Sequence, residues 1–170
     1  LARPITSNEL PSPLHSLTSG GVDTVQSTVS WTLAAGFENL TFTGTAVTSG
    51  SGNNLNNVIT GSAGNNWLRG LEGNDTINAG AGNDTIQMSN GSGTSYGSDV
   101  INGGDGVDTL DYASAARTAV FIDLAAGIAS GGGTGGAGSA TVSNVENANG
   151  SAFNDVITGS AAANFLFGFD

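Results

Sequence analysis

From Gly52 the chain divides into blocks of nine: GNNLNNVIT, GSAGNNWLR, GLEGNDTIN and AGAGNDTIQ, ending at Gln87. The sixth residue of each block is Asn or Asp, and the eighth is Ile or Leu. After a spacer from Met88 to Gly93 the register resumes as TSYGSDVIN and GGDGVDTLD, ending at Asp111. It returns over residues 150–167 as GSAFNDVIT and GSAAANFLF. An early block, TSGGVDTVQ at residues 18–26, fits the same template with Val in the aliphatic slot. Such a period constrains the fold more than any local propensity, because each repeat is one unit that must stack on its neighbours.

Within a block, the first six residues are mostly Gly, Asn, Asp and Ser, which supply positive φ and tight turns cheaply. The last three, such as Thr85-Ile86-Gln87, alternate polar, apolar, polar like a very short strand. One such strand cannot bury its single Ile. Stacked about 4.8 Å apart, equivalent blocks line up Ile59, Leu68, Ile77, Ile86, Ile101 and Leu110 as the walls of one interior. Two nines then close one coil of an all-β solenoid. The spacer is long enough to shift the later blocks by part of a coil.

The pattern resembles the RTX (repeats-in-toxin) nonapeptide, G-G-x-G-x-D-x-U-x with U a large aliphatic residue. GGDGVDTLD, Gly103 to Asp111, matches every fixed position, and GLEGNDTIN and AGAGNDTIQ each miss one glycine. The resemblance implies a right-handed parallel β-roll that binds several Ca²⁺ ions, each held between the turns of blocks n and n+2. The ligands implied are turn carbonyls, such as those of Gly73, Gly82 and Gly106, and the sixth-position side chains. In this chain those are Asp23, Asp75, Asp84, Asp99, Asp108 and Asp155, with Asn57, Asn66 and Asn164 in the same slot elsewhere. Calcium takes six to eight oxygen ligands, and an amide oxygen brings no charge, so the Asn57 and Asn66 sites are expected to be weaker or empty. The strongest expected pairs are Asp84 with Asp108 and Asp75 with Asp99. A lesser site is expected near Asp155.

The alternative is a metal-free solenoid in which Asp and Asn merely cap turns. Against it, stacked carboxylates repel unless a cation intervenes. The chain has 14 acidic residues, three basic ones and a net charge of −11, which about five divalent ions would nearly neutralise. Such a charge excludes a sequence-independent grip on nucleic acid, which runs on Lys and Arg against phosphate, and disfavours an anionic membrane surface. No apolar stretch has the length of a membrane span. Cysteine is absent, so disulfides and thiolate metal sites are excluded.

As an enzyme the chain reads poorly. Its one histidine, His15, lies outside the repeats, and it has no phosphate loop with its Lys. A carboxylate pair could hydrolyse a glycoside, but most Asp residues belong to the repeat. Glu38 and Glu146 are expected to accept backbone hydrogen bonds at coil corners, with ion ligation as the other reading. Trp67 should face outward, Asp105 and Asp111 read as solvated or as lying just behind an ion's direct ligands, and Asp123 reads as structural.

The expected organisation is a linker or cap over residues 1–17, a solenoid over 18–111 with core repeats at 52–87 and 94–111, and irregular coils over 112–149. A glycine-rich run at 130–138 reads as an extruded loop, and truncated repeats resume over 150–170. The stretches 29–43 and 119–147, which read as irregular coils, each carry a Glu-Asn pair, and NNVITGSAGNNWLRG (56–70) recurs as NDVITGSAAANFLFG (154–168). The chain opens at Leu1 without a leader and stops inside a repeat, as a segment of a larger secreted bacterial protein would. The functional expectation is a calcium-binding structural module, exported by a type I pathway and folding on Ca²⁺ outside the cell. The alternative is an adhesion or polysaccharide-binding module, self-association through the solenoid ends being a further possibility.

Overall fold

The computed structural model describes residues 5–6, 21–88, 95–114 and 116–169, of which Ile5–Thr6 contribute backbone alone. His15, most of the expected 1–17 cap and the start of the 18–26 block lie outside the described residues. In chain order the strands are β1 (Ile5–Thr6), β2 (Thr24–Ser27), β3 (Trp31–Thr32), β4 (Asn39–Phe42), β5 (Thr48–Ser51), β6 (Val58–Thr60), β7 (Asn66–Arg69), β8 (Thr76–Ala81) and β9 (Thr85–Gln87). They continue as β10 (Ser98–Asp105), β11 (Thr109–Asp111), β12 (Val120–Asp123), β13 (Ile128–Gly131), β14 (Ser139–Ser143), β15 (Asn147–Asn149), β16 (Val156–Thr158) and β17 (Leu166–Phe167).

These strands form two sheets, in the orders β1-β2-β4-β6-β8-β10-β14-β13-β12-β16 and β3-β5-β7-β9-β11-β15-β17. From β2 to β11 consecutive strands alternate between the sheets, and each pairs in parallel with the strand one coil away. This is a β-roll. The aliphatic slot of each block points inward: Ile59 pairs with Ile77 and Ile77 with Ile101 in the first sheet, Leu68 with Ile86 and Ile86 with Leu110 in the second. All six are at most 1% exposed. Each such side chain contributes about 1.5–3 kcal/mol of burial that an isolated repeat could not supply. Trp67, between Asn66 and Leu68 on β7, faces outward and is half exposed.

The pairing settles the question of the spacer. β6 meets β8 with an offset of 18 residues, Val58 opposite Thr76, and β8 meets β10 with an offset of 24, Thr76 opposite Val100. The six extra residues lengthen one coil without moving its strand out of register, because the inward row of Ile would otherwise be turned to solvent.

The chain departs from simple coiling after β11. β12 and β13 form an antiparallel hairpin, and β13 pairs antiparallel with β14, so a three-stranded meander takes the place of one strand in the first sheet. The 130–138 run, expected as an extruded loop, holds the end of β13 and the hairpin connection to β14. Gly131, Gly132 and Gly133 are buried, and only the tip, Thr134–Gly136, is exposed. The reason is a pair of buried tyrosines, Tyr96 and Tyr112, whose hydroxyls share a hydrogen bond of 2.8 Å. A Cβ on Gly138 would lie 2.4 Å from the Tyr96 ring, and one on Gly132 3.0 Å from the Tyr112 ring. Glycine is what lets the backbone pass that close. At the far end β16 stacks on β12 and β17 on β15, leaving Phe165, Leu166, Phe167 and Phe169 exposed.

Candidate metal centre

The turn before each strand ends in the sixth-position residue, so the coiling stacks these residues in two ladders. Along the first sheet they run Asp23, Glu38, Asn57, Asp75, Asp99, and along the second Asn66, Asp84, Asp108, Glu146. The rungs are connected by one recurring hydrogen bond. The N–H of Asn57 donates to Asp75 Oδ1 (2.7 Å) and the N–H of Asp75 to Asp99 Oδ1 (2.9 Å). In the second ladder Asn66 donates to Asp84 Oδ1 (2.7 Å) and Asp84 to Asp108 Oδ1 (2.8 Å). Both expected carboxylate pairs are therefore brought together.

The glutamates occupy the same rungs. The N–H of Asp23 donates to Glu38 Oε2 at 2.8 Å, and that of Asp108 to Glu146 Oε2 at 2.9 Å. Both lie outside the nine-residue blocks that begin at residues 18, 52, 94 and 150, but a shorter signal reaches them. Val145-Glu146-Asn147-Ala148 reads as Val107-Asp108-Thr109-Leu110, and Phe37-Glu38-Asn39-Leu40 as Val22-Asp23-Thr24-Val25.

Two kinds of turn stand out. In one, the rung side chain caps its own turn: Asn57 Oδ1 accepts from Asn53 N–H, Asn66 Oδ1 from Ser62 N–H, and Asn164 Oδ1 from Ser160 N–H. The amide nitrogens are used as well, Asn57 Nδ2 donating to the carbonyls of Phe37 and Glu38, and Asn164 Nδ2 to that of Glu146. Asp155 belongs with this kind. It accepts from Ser151 N–H, from the Ser151 hydroxyl and from Val120 N–H, and so is engaged within the protein.

The other kind comprises the turns ending at Asp75, Asp84 and Asp108. These three residues are at most 1% exposed, and in each the second carboxylate oxygen, Oδ2, is buried with no hydrogen-bond partner. Leaving a buried acceptor unpaired costs about 1–3 kcal/mol, more when it is charged. Three such oxygens, one in the first ladder and two stacked in the second, make a repeated feature of these turns. The backbone here also differs, with φ of +110° at Gly73, +115° at Gly82 and +143° at Gly106. A Cβ on Gly106 would sit 1.8 Å from the Gly82 carbonyl oxygen, and one on Gly97 1.8 Å from that of Gly73. Carbonyls of one coil thus press against the backbone of the next, in a cradle that only glycine leaves open.

Burial dominates the electrostatics. It pushes the carboxyls of Asp75 and Asp84 up to about 6 and that of Asp99 to about 8, against the pull of the backbone N–H bonds and with the neighbouring carboxylate adding to the rise for Asp84 and Asp99. Asp108 is raised in the same way, with Glu146 adding to the effect. Among the described residues no three Asp, Glu or His side chains converge. A cation held here would therefore draw most of its oxygens from the backbone, as a hard ion such as Ca²⁺ can. The unpaired buried oxygens, the open glycine cradle and the purely oxygen donor set fit that ion.

A comparison with protein families finds the RTX calcium-binding nonapeptide repeat (4 copies) at residues 51–86, 94–116 and 143–170, together just over half of the chain. Among curated proteins no match is found.

Proposed function

We propose, from the premise that this chain belongs to the RTX calcium-binding nonapeptide-repeat family, that it is a structural module whose folding is driven by calcium outside the cell. Repeats of this family bind several Ca²⁺ ions per domain. The observation that carries the reading is the set of unpaired Oδ2 atoms on Asp75, Asp84 and Asp108.

The principal sites assigned are Asp75 with Asp99 and Asp84 with Asp108, completed by carbonyls of the turns around Gly73, Gly82 and Gly106. Calcium, when bound, supplies the positive charge that compensates these buried carboxylates. The asparagine rungs support this assignment by contrast. At Asn57 the Nδ2 group itself donates to carbonyls of the preceding coil, so that turn is complete without an ion. At Asp75 the equivalent turn ends in an acceptor that faces no donor. Asn57, Asn66 and Asp155, each already engaged, are assigned as scaffold, and Asp23 as a lesser site at most.

Without cations the ladders stack desolvated carboxylates, and a fold with so much internal repulsion is poorly stable. A module of this kind is unfolded where calcium is scarce and folded where it is millimolar. That behaviour suits a protein exported unfolded through a type I pathway, the role assigned to it here. Far-UV circular dichroism with added Ca²⁺ and then chelator tests this. The expected result is β-structure gained with Ca²⁺ and lost with chelator; equal β-content and thermal stability in both conditions would sink the reading.

One observation favours a second reading, a polysaccharide-binding or adhesive role. Trp67 lies half exposed in a shallow groove of about 240 Å³ with Ser49, Ser51, Arg69 and Gln87, an aromatic face flanked by hydrogen-bonding groups. A glycan-binding screen in calcium, with Trp67→Ala as the negative control, checks it. Self-association through the exposed end at Leu166 and Phe167 would appear as concentration-dependent mass in the same buffer.

A further inference from the structure

We infer that the Trp67 groove, on the outer face of the second sheet, is a subsite for an acidic polysaccharide, with a hexuronate ring on Trp67 and its carboxylate at Arg69. The inference rests on the second reading above, glycan binding, and names the class of glycan.

The first observation is a departure from the repeat. In the second sheet the seventh and ninth residues of a block flank the inward aliphatic one and belong to the outer face. They are Thr85 and Gln87 on β9 and Thr109 and Asp111 on β11, but Trp67 and Arg69 on β7. The scaffold does not ask for this pair. Where the stretch recurs, Asn66 and Leu68 return as Asn164 and Leu166, while the two outer slots hold Phe165 and Phe167.

The second observation is how the pair is set. Alternate residues of a strand share a face and lie about 7 Å apart. Trp67 is half exposed, and the groove of about 240 Å³ is completed by Arg69, by Ser49 and Ser51 of β5, and by Gln87 of β9. Arg69 Nε donates to Ser51 Oγ at 2.7 Å, which holds the guanidinium in the groove and uses one of its several N–H donors. A hexuronate matches this arrangement group by group. Its C–H face suits the indole, its hydroxyls suit Ser49 and Gln87, and its planar carboxylate suits a guanidinium, which grips carboxylates through parallel N–H bonds. An acidic peptide would engage Arg69 but offers no rigid C–H face to the indole.

The third observation is charge. The chain has 14 acidic residues against three basic ones, yet none of the described residues lining the groove is acidic. On this face the first carboxylate beyond Gln87 is Asp111, opposite it on β11 and held by Asn149 Nδ2 at 3.0 Å. Two strands separate Asp111 from Arg69, about 10 Å. Asp111 therefore bounds the subsite, and its repulsion places the sugar carboxylate on the β5 side of Gln87.

The test is titration of the calcium-loaded full chain with trigalacturonate and with its uncharged counterpart, galactotriose. Tryptophan fluorescence and calorimetry read the binding, with Trp67→Ala as the blank. The acidic trisaccharide is expected to bind about tenfold more tightly, as one charge-assisted contact implies, and the gap is expected to narrow with added salt. Arg69→Gln, with unchanged dichroism in calcium, is expected to lower its affinity to that of the neutral sugar and to leave the neutral sugar's affinity as it was. Asp111→Asn is expected to tighten the acidic sugar about twofold. Equal affinities in the wild type, or an Arg69→Gln protein that keeps the preference, overturns the acidic subsite and leaves glycan binding standing. A triglutamate peptide that binds as tightly as trigalacturonate overturns the sugar assignment. Binding of neither trisaccharide sinks the glycan reading itself.

Discussion

The backbone N–H of Asp84 donates to Oδ1 of Asp108, 24 residues further along, at 2.8 Å, while the other oxygen of each carboxylate is buried without a partner. One half of the side chain ties neighbouring coils together. The other half is left for something the chain itself does not provide. Every asparagine rung resolves this by pointing an N–H at an acceptor, and that contrast makes a direct prediction.

Asp84→Asn retains an acceptor for the Asn66 N–H and replaces the orphaned oxygen by a donor. In chelator the variant is expected to be more folded than the wild type, because a desolvated charge is gone. In millimolar calcium it is expected to be less stable, by about 1–3 kcal/mol, through the loss of charged-group interactions at one site. Chemical denaturation in the two buffers reads the sign change, and a shift of the same sign in both would contradict the assignment.

The pH dependence follows from the raised carboxyls. In the folded chain Asp75 and Asp84 lie at about 6 and Asp99 at about 8, above the ordinary value near 4 that they regain on unfolding. Stability from holding these protons is fully present below about pH 4 and is lost as pH rises through 6 to 8. The calcium-free chain is therefore expected to gain β-structure on acidification from pH 8 to 5. Calcium affinity is expected to move the other way, rising over the same interval, with protons released on binding near pH 7. Calorimetry in buffers of different ionisation heat measures that release.

The interior of the roll is sensitive where its outer face is tolerant. Ile86 is 0% exposed between Leu68 and Leu110, whereas Trp67, on the neighbouring strand, is half exposed. Ile86→Ala is expected to cost about 2–5 kcal/mol in calcium and Trp67→Ala well under half of that. Guanidinium unfolding of the two variants compares them.

Glycines in the turns assigned to calcium differ in kind from those at the hairpin tip. At Gly106, φ is +143° and a Cβ would meet the Gly82 oxygen at 1.8 Å; at Gly135, φ is +69° with nothing within 4 Å. Gly106→Ala is expected to cost on the order of 2–4 kcal/mol and to weaken calcium uptake. Gly135→Ala is expected to cost about 1 kcal/mol and to leave the ion count unchanged. Melting in saturating calcium together with ion counting separates the two.

What the sequence made legible is the part where one residue carries one role. Each Ile or Leu of a block is the whole interior contribution of its strand, so Ile59 through Leu110 could be placed from spacing alone. The meander of β12, β13 and β14 was hidden because its strands follow no nine-residue template and owe their positions to packing on Tyr96 and Tyr112. The glycine-rich run has the composition of a loop and connects β13 to β14, but its glycines also serve the approach of two aromatic rings, which composition does not show. Glu146 was legible only as a possible corner residue. Its rung becomes evident once Asn147 is paired with Thr109.

The spacer offers the sharpest check on the register. The ladder offset is 18 residues from Asn57 to Asp75 and 24 from Asp75 to Asp99. Removing residues 89–94 leaves Met88-Ser95-Tyr96-Gly97-Ser98-Asp99-Val100-Ile101-Asn102, a nonapeptide with Gly, Asp and Ile in their proper slots. Gly97 already stacks on Gly73, as that alignment requires. The shortened chain is therefore expected to fold in calcium and to bind as many ions as the wild type. Closing a shorter loop lowers the entropic cost of the coil by a fraction of a kcal/mol, so its stability should be equal or slightly higher. Calcium-dependent dichroism and ion counting on the deletion variant read this. Loss of one ion with the fold retained would mean that the Asp75 and Asp99 turns depend on the inserted residues and not on their register alone.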